Sequence, residues 1–245
     1  MVGEAWVSVP VTGLWRAPDR TRSVDEAFLR DRPDHGEWLR GMDAATDREQ
    51  DGRLGLYDRL DSELSCCEPV VVQESVEGWS RVSCPLQPAA SAEGGYAGYR
   101  GWVRSAHLAS TRPEHAVTVG DGSLDAAEFV DRARRHLGLP YLWGGLTEEG
   151  LDCSGLVHHA ARELGVVLPR DAHDQHTAAR SIAAGEERFG DLYFFAHPGE
   201  TVHHVGIVIS PGTMLHAPES GAQVVEEPLG ESRRRTLVGA GRFTS

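Results

Sequence analysis

The chain has 245 residues, a hydrophobic fraction of 40%, a charged fraction of 25% and a formal net charge of −13. This composition is that of a globular protein with one large domain or two small ones. A surface this acidic repels phosphate backbones, which excludes nucleic acid as an expected partner, and no apolar run is long enough for a membrane span.

The first 110 residues alternate apolar and polar side chains in short stretches, with glycine and proline between them. Residues 7–11 and 69–74 are two such stretches. Period-two patterning of this kind predicts a small β-barrel. Between about residues 20 and 60 the sequence becomes charged and helical in period, which predicts a helical insertion. The segment 110–122 is a predicted linker.

Two amphipathic helices are predicted after the linker. Ser123 is the expected N-cap of the first, whose apolar face includes Leu137. The second is expected to run from Cys153 to Leu164, with Gly165 as its stop.

The rest of the chain is strand-like. Four apolar segments follow one another at residues 191–195, 204–209, 213–217 and 223–227. Helices followed by an antiparallel meander indicate an α+β fold.

One cysteine and two histidines make the minimum set for a thiol hydrolase. Cys153 lies in the first turn of a predicted helix, where unpaired backbone N–H groups are expected to stabilise a thiolate. His204 begins a strand and is the candidate base. His216 lies on the next strand, so antiparallel pairing would bring it beside His204 to fix the orientation of that ring.

The remaining cysteines do not indicate a metal site. Cys66 and Cys67 are adjacent, whereas ligand cysteines usually stand about 2–4 residues apart. A disulfide to Cys84 is the alternative to free thiols, and free thiols are expected. Neither a metal nor another cofactor is predicted.

Five segments together resemble the NlpC family of bacterial cell-wall cysteine peptidases. In chain order they are 141–145 (YLWGG), 151–157 (LDCSGLV), 190–195 (GDLYFF), 204–207 (HVGI) and 215–218 (LHAP). The resemblance covers residues 125–245 and implies a papain-like catalytic domain over 113–245. It makes Cys153 the nucleophile, His204 the base and His216 the orienting residue. Residues 1–112 resemble a bacterial SH3-like domain.

The resemblance also implies a substrate. The family includes enzymes that cleave the γ-D-glutamyl bond to a diamino acid in peptidoglycan stem peptides. Asp152 and Ser154 would bind the D-glutamate, and Tyr141 would donate its hydroxyl to the substrate or the oxyanion. Trp143 would either wall the pocket or pack in the core.

In relatives that recycle murein, an acidic residue and a tyrosine of the SH3-like domain hold the free amine of L-alanine. Here the candidates are Tyr99 with Asp61 or Glu63, and the sequence does not decide between the two acids. Such an enzyme would act on released stem peptides, in the cytoplasm, since no signal peptide is visible. The preferred diamino acid and the oligomeric state stay open.

Three alternatives remain at this point. The first is a secreted hydrolase of the intact wall whose leader has been removed. The second is a wall-binding module without activity. The third is an acyltransferase that uses the same thioester chemistry on lipids, which no amphipathic membrane segment supports.

Overall fold

The computed structural model describes residues 2–117, 120 and 123–244, so part of the predicted linker, at positions 118, 119, 121 and 122, lies outside the described residues. The chain divides into two compact units. The first consists of residues 1–86, 97–118 and 142–149, and the second of residues 87–96, 119–141 and 150–245. The segment 142–149, which follows the predicted pocket residue Tyr141, thus belongs to the first unit.

The first unit is built on one seven-stranded sheet. Its strands are β1 Gly3–Val7, β2 Val11–Trp15, β3 Leu60–Ser65, β4 Pro69–Val76, β5 Trp79–Ala90, β6 Tyr96–Arg104 and β7 Leu108–Ala109, in the order β3-β2-β6-β5-β4-β1-β7. In β4 the side chains alternate: Val70 and Val72 are buried, whereas Val71 is exposed. One face of the sheet therefore forms the core of this unit.

Helical structure fills the connection between β2 and β3. Its helices are α1 Glu26–Leu29 and α2 His35–Asp43, with 3-10 turns at Pro18–Arg20, Ser23–Asp25 and Arg53–Leu56; a further 3-10 turn spans Ser105–His107. Asp34 caps α2 by accepting from the backbone N–H of Glu37. The rings of Phe28 and Trp38 stack at 4.3 Å between centroids, so the helices add an aromatic core.

The second unit begins with α3 Ala126–Arg134. Its N-cap is Asp125, whose carboxylate accepts from the N–H groups of Ala127 and Glu128 at 2.9 Å. The expectation that Ser123 caps this helix is wrong, because a carboxylate nearer the helix satisfies the first N–H groups. Leu137 was also expected in the core but is 47% exposed, since the helix ends before it.

A six-stranded antiparallel sheet completes the second unit. Its strands are β10 Arg180–Ile182, β11 Leu192–Phe195, β12 His204–Ser210, β13 Thr213–His216, β14 Val225–Pro228 and β15 Leu237–Arg242, in the order β10-β15-β11-β12-β13-β14. The other elements of this unit are α4 Cys153–Arg162, α5 Ala172–Ala178, α6 Glu231–Thr236 and the short strand β9 Gly150–Leu151. The short strand β8 Leu146–Thr147 belongs to the first unit. The predicted α+β class and the four predicted strands are confirmed.

Helix α4 begins at Cys153 as predicted and is followed by Gly165, whose φ of +79° is the left-handed conformation typical of a helix stop. Strands β10 and β15 were not predicted. In β15 a Cβ on Gly241 would come within 2.6 Å of the Ala179 methyl group. Glycine there permits close packing but weakens the apolar pattern of a strand. None of the described helices has the length and apolar character needed to cross a bilayer.

Candidate active site

The helix α4 presents Cys153 at its first turn. Asp152 is the N-cap, and its side chain accepts from the backbone N–H of Gly155 at 2.6 Å. The cysteine is 7% exposed, and the backbone N–H groups of Ser154 and Val205 donate to its sulfur. The Val205 contact brings the sulfur against β12, the strand whose first residue is His204.

A buried arginine holds the start of this helix in place. Arg170 is fully buried and binds Asp152 with both amino groups, at 3.0 and 2.7 Å, and its Nη1 also donates to the Ser154 hydroxyl at 3.1 Å. The Gln175 amide donates to the backbone carbonyl oxygens of Ser154 and Pro169. A charged guanidinium with bidentate geometry fixes a carboxylate better than neutral donors do.

Sequence reasoning assigned Asp152 and Ser154 to substrate and missed Arg170 and Gln175. The structure shows the Asp152 carboxylate bound by the backbone of the helix and by Arg170, so it helps to fix the start of α4, where Cys153 lies. Contact with a substrate remains a prediction for both residues. A lone arginine after Leu168 and Pro169 in the sequence is the only local sign of this cluster.

Two histidines and a glutamate form a chain of hydrogen bonds across β12, β13 and β14. His204 Nε2 and His216 Nδ1 are 2.8 Å apart, and His216 Nε2 is 3.0 Å from Glu227 Oε1. The predicted pairing of the two rings is confirmed. Gly206 makes room for it, because a Cβ there would lie 3.2 Å from His216 Cβ. Glu227, near the end of β14, was missed because its partner is on another strand.

This series of hydrogen bonds determines which ring nitrogens carry a proton. A carboxylate only accepts, so His216 Nε2 carries a proton and its neutral ring leaves Nδ1 as an acceptor. His204 Nε2–H must then donate to His216 Nδ1. The other nitrogen of His204, Nδ1, is left without a proton and is able to take one from a thiol.

Burial favours the neutral forms of Cys153, His204 and His216. It lowers the pKa of His204 well below its usual range and the pKa of His216 to about 4, and the positive charge of Arg233 adds to both shifts. Burial, followed by the charge of Asp152, raises the pKa of Cys153 to about 12. This desolvation opposes the stabilisation of a thiolate that was expected at the helix terminus. The ionised resting thiol stays a prediction.

Tyr141 and Trp143 belong to different units. Tyr141 is buried in the second unit, where it pairs with Leu151 and its backbone N–H donates to Ala222 O at 2.9 Å. The Trp143 indole donates to Leu60 O at 2.9 Å and packs against the Tyr57 ring, 3.9 Å between centroids, in the first unit. Packing, the alternative considered for Trp143, thus accounts for this side chain.

The three candidate amine-binding residues all lie in the first unit. Glu63 is fully buried and binds His35 Nε2 at 2.6 Å and the backbone N–H of Leu146 at 3.0 Å. Asp61 accepts from Arg16 Nε at 2.6 Å and its side chain is 12% exposed. Tyr99 packs, partly buried, on the core of the sheet.

The other histidines and cysteines are placed as follows. His158 is fully buried, with Nδ1 2.8 Å from Leu168 O. His203 is exposed and its ring stacks on that of His197, with 4.7 Å between the ring centroids. All four cysteines are free thiols, as expected. Among the residues that the structure describes, two groups of His, Asp and Glu side chains have ligand atoms close enough together to hold a metal ion. Neither group contains Cys153, His204 or His216.

Comparison with known proteins places this geometry in context. Residues 138–242 match the model of the NlpC/P60 family. A gamma-D-glutamyl-L-lysine dipeptidyl-peptidase of Bacillus subtilis is 27% identical over 87% of this chain and 90% of its own length, and one of Bacillus cereus is 24% identical over 92% and 86%. A bifunctional muramidase/DL-endopeptidase of Bacillus subtilis is 41% identical over 50% of this chain and 38% of its own.

Among solved structures, an NlpC/P60 family protein from Bacillus cereus superposes with a TM-score of 0.81 at 23% identity. The superposition covers 99% of this chain and 100% of the other. The fold is therefore shared along the whole chain, and not only in the matched segment.

Proposed function

Because residues 138–242 are a domain of the NlpC/P60 family of cysteine peptidases, we propose that the chain hydrolyses the bond between γ-D-glutamate and an L-diamino acid in peptidoglycan stem peptides. The observation that carries this proposal is the hydrogen-bonded series from His204 through His216 to Glu227, whose first strand, β12, contacts the helix α4 that begins at Cys153. The two full-length Bacillus relatives bear the name of this activity and support the choice of bond.

The mechanism starts from a neutral thiol and a neutral imidazole. As the Cys153 sulfur attacks the carbonyl carbon, its proton passes to His204 Nδ1. The negative charge of the attacking group and the positive charge of the imidazolium thus form together, in a buried site that disfavours either charge alone. His204 then gives this proton to the departing amine, which leaves a thioester on Cys153. A water molecule, deprotonated by the same imidazole, releases the acid and restores the thiol.

His216 and Glu227 act on His204 and do not touch the reacting atoms. They hold the ring in the tautomer that presents a bare nitrogen, and they stabilise the imidazolium once it forms. The N–H groups of Ser154 and Val205 stabilise the anionic sulfur. We assign the oxyanion to the Cys153 N–H at the start of α4 and to the Tyr141 hydroxyl, as the family resemblance implies.

We also propose that the substrate carries a free N-terminal L-alanine and that Asp61 binds its amine. Glu63 is less suited, because its carboxylate is sealed in the first unit between His35 and Leu146. Asp61 already binds Arg16 at 2.6 Å, so an ammonium group would share this carboxylate with the guanidinium. An acylated substrate offers no ammonium group to the carboxylate, and the site would therefore select against it. Stem peptides released from the wall are then the substrates, and we propose a role in murein recycling inside the cell.

Mass spectrometry of the products from L-Ala-γ-D-Glu-meso-diaminopimelate, with and without N-acetylation, tests both parts. We expect release of L-Ala-γ-D-Glu from the free-amine peptide only, and none from Cys153→Ala. Asp61→Asn should reduce the preference for the free amine. Asp58→Asn is the matched control, since Asp58 binds the same Arg16 but is 80% exposed. No cleavage of either peptide by the wild type would refute the proposed activity, and equal cleavage would refute the amine clamp alone.

Digestion of intact sacculi separates the alternatives. Efficient release of peptides from sacculi would favour a secreted wall hydrolase. Binding to sacculi without cleavage of any peptide would favour a wall-binding module, although the complete Cys153, His204 and His216 set speaks against it.

A further inference from the structure

A second group of potential ligands lies on the same helix as the nucleophile, nearer its C-terminal end. His136, His159 and Glu163 each offer one ligand atom, and these atoms lie within 4.8 Å of one another. His159 and Glu163 are one helical turn apart on α4 and its C-cap, with Nε2 and Oε1 3.9 Å apart. His136 comes from the turn that ends α3 and meets His159 edge to face, 5.0 Å between ring centroids.

The distances between these ligand atoms are close to those in a site that holds a zinc ion. Zinc binds imidazole nitrogen and carboxylate oxygen at about 2.0–2.2 Å, so tetrahedral ligands stand about 3.4 Å apart. The present atoms need to move inward by about 1 Å or less, which side-chain torsions provide. The exposure of the three donors increases from His136 to Glu163. His136 is 7% exposed, and the side chains of His159 and Glu163 are 14% and 32% exposed. An ion therefore has a route from solvent.

We propose that His136, His159 and Glu163 bind one zinc ion, which ties the end of α3 to α4. Two imidazoles and a carboxylate are a common zinc set and leave one position for water. Neutral imidazole is the ligating form, and the acidic protein attracts divalent cations.

The ion would not take part in peptide hydrolysis. His159 follows Cys153 by six residues, which is about 9 Å along the axis of α4 and about 120° around it. Its effect is to fasten the helix that carries the nucleophile. The proposal does not depend on the substrate of the enzyme.

The other group with suitable spacing is a poorer candidate. Asp171, His173 and Asp174 also lie close together. However, the Asp174 carboxylate already accepts a hydrogen bond from the backbone N–H of Ala90 at 2.8 Å, and both residues belong to the second unit.

The test is a zinc titration of the full chain by calorimetry, with native mass spectrometry for stoichiometry. All proteins carry Cys153→Ala, Cys66→Ser and Cys67→Ser, so that thiols do not compete for the metal. We expect one zinc per chain, and binding weakened at least tenfold by Glu163→Gln and by His159→Gln. His173→Ala is the matched control and should bind as the parent does.

Two further measurements test the site without a substitution at the buried His136. Cobalt(II) in the parent protein should show visible d–d absorption that Glu163→Gln loses. Zinc should raise the thermal midpoint of the parent and leave that of His159→Gln unchanged. Absence of bound zinc in the parent, or equally tight binding by His159→Gln and Glu163→Gln, would overturn the proposal.

Discussion

Acid should destabilise the second unit through His216, and the effect is large enough to measure. The folded protein lowers the pKa of this residue from 6.5 to about 4, mainly by burial. Its neutral form is favoured by folding, so the contribution to stability is complete above pH 6.5 and is lost as the pH falls toward 4. The shift corresponds to about 3 kcal/mol of unfolding free energy at pH 4.

The substitution His216→Asn removes this titrating group. We expect the variant to lose about 3 kcal/mol less than the wild type between pH 7 and pH 4, whatever its stability at pH 7. His204, whose pKa is also lowered, acts in the same direction in the wild type. His173→Asn, at an exposed position of α5, is the matched control and should keep the wild-type pH dependence.

The assay must report the second unit. All six tryptophans lie in the first unit, so fluorescence does not follow the unit that carries His216. Hydrogen exchange of the amides in β11, β12 and β13, measured against urea at each pH, gives the opening free energy directly. If His216→Asn and wild type show the same change from pH 7 to pH 4, burial of this imidazole does not control the acid stability.

Three further predictions concern the neighbours of the catalytic residues. Glu227→Gln should lower kcat about tenfold with little change in KM, because His216 loses its carboxylate acceptor; steady-state kinetics across pH checks this, and an unchanged kcat would contradict it. Arg170→Met should cost about 3–5 kcal/mol of unfolding free energy by leaving the Asp152 charge buried, and Asp152→Asn in the same chain should restore part of it in urea titrations. Gly206→Ala should cost about 1–3 kcal/mol and lower kcat, since its Cβ would press on the His216 strand; wild-type activity would show that the strand adapts.

Local patterns in the sequence were enough to predict the helix and the strands that carry the proposed catalytic residues. A helix opening at Cys153 follows from the residues around it and from Gly165 after it. The pairing of His204 with His216 follows from two strands joined by a short turn. In each case the residues that decide the structure lie within one element and its ends.

The features that escaped prediction depend on residues far apart in the chain. Arg170 meets Asp152 from 18 positions away, and Glu227 meets His216 from a neighbouring strand. The protonation state of Cys153 depends on how completely the fold excludes water from the sulfur, and local sequence does not give this. Periodicity gives the buried face of an element, and it does not give the depth of burial.

The outermost member of the hydrogen-bonded series differs from the others in its access to solvent. The Glu227 side chain is 45% exposed, whereas His216 is fully buried. Dissolved cations and the ionic strength of the medium therefore reach the Glu227 carboxylate, whereas Cys153 is only 7% exposed. If His204 is the base that we propose, conditions at the surface adjust the reactivity of an enclosed thiol without any opening of the protein around it.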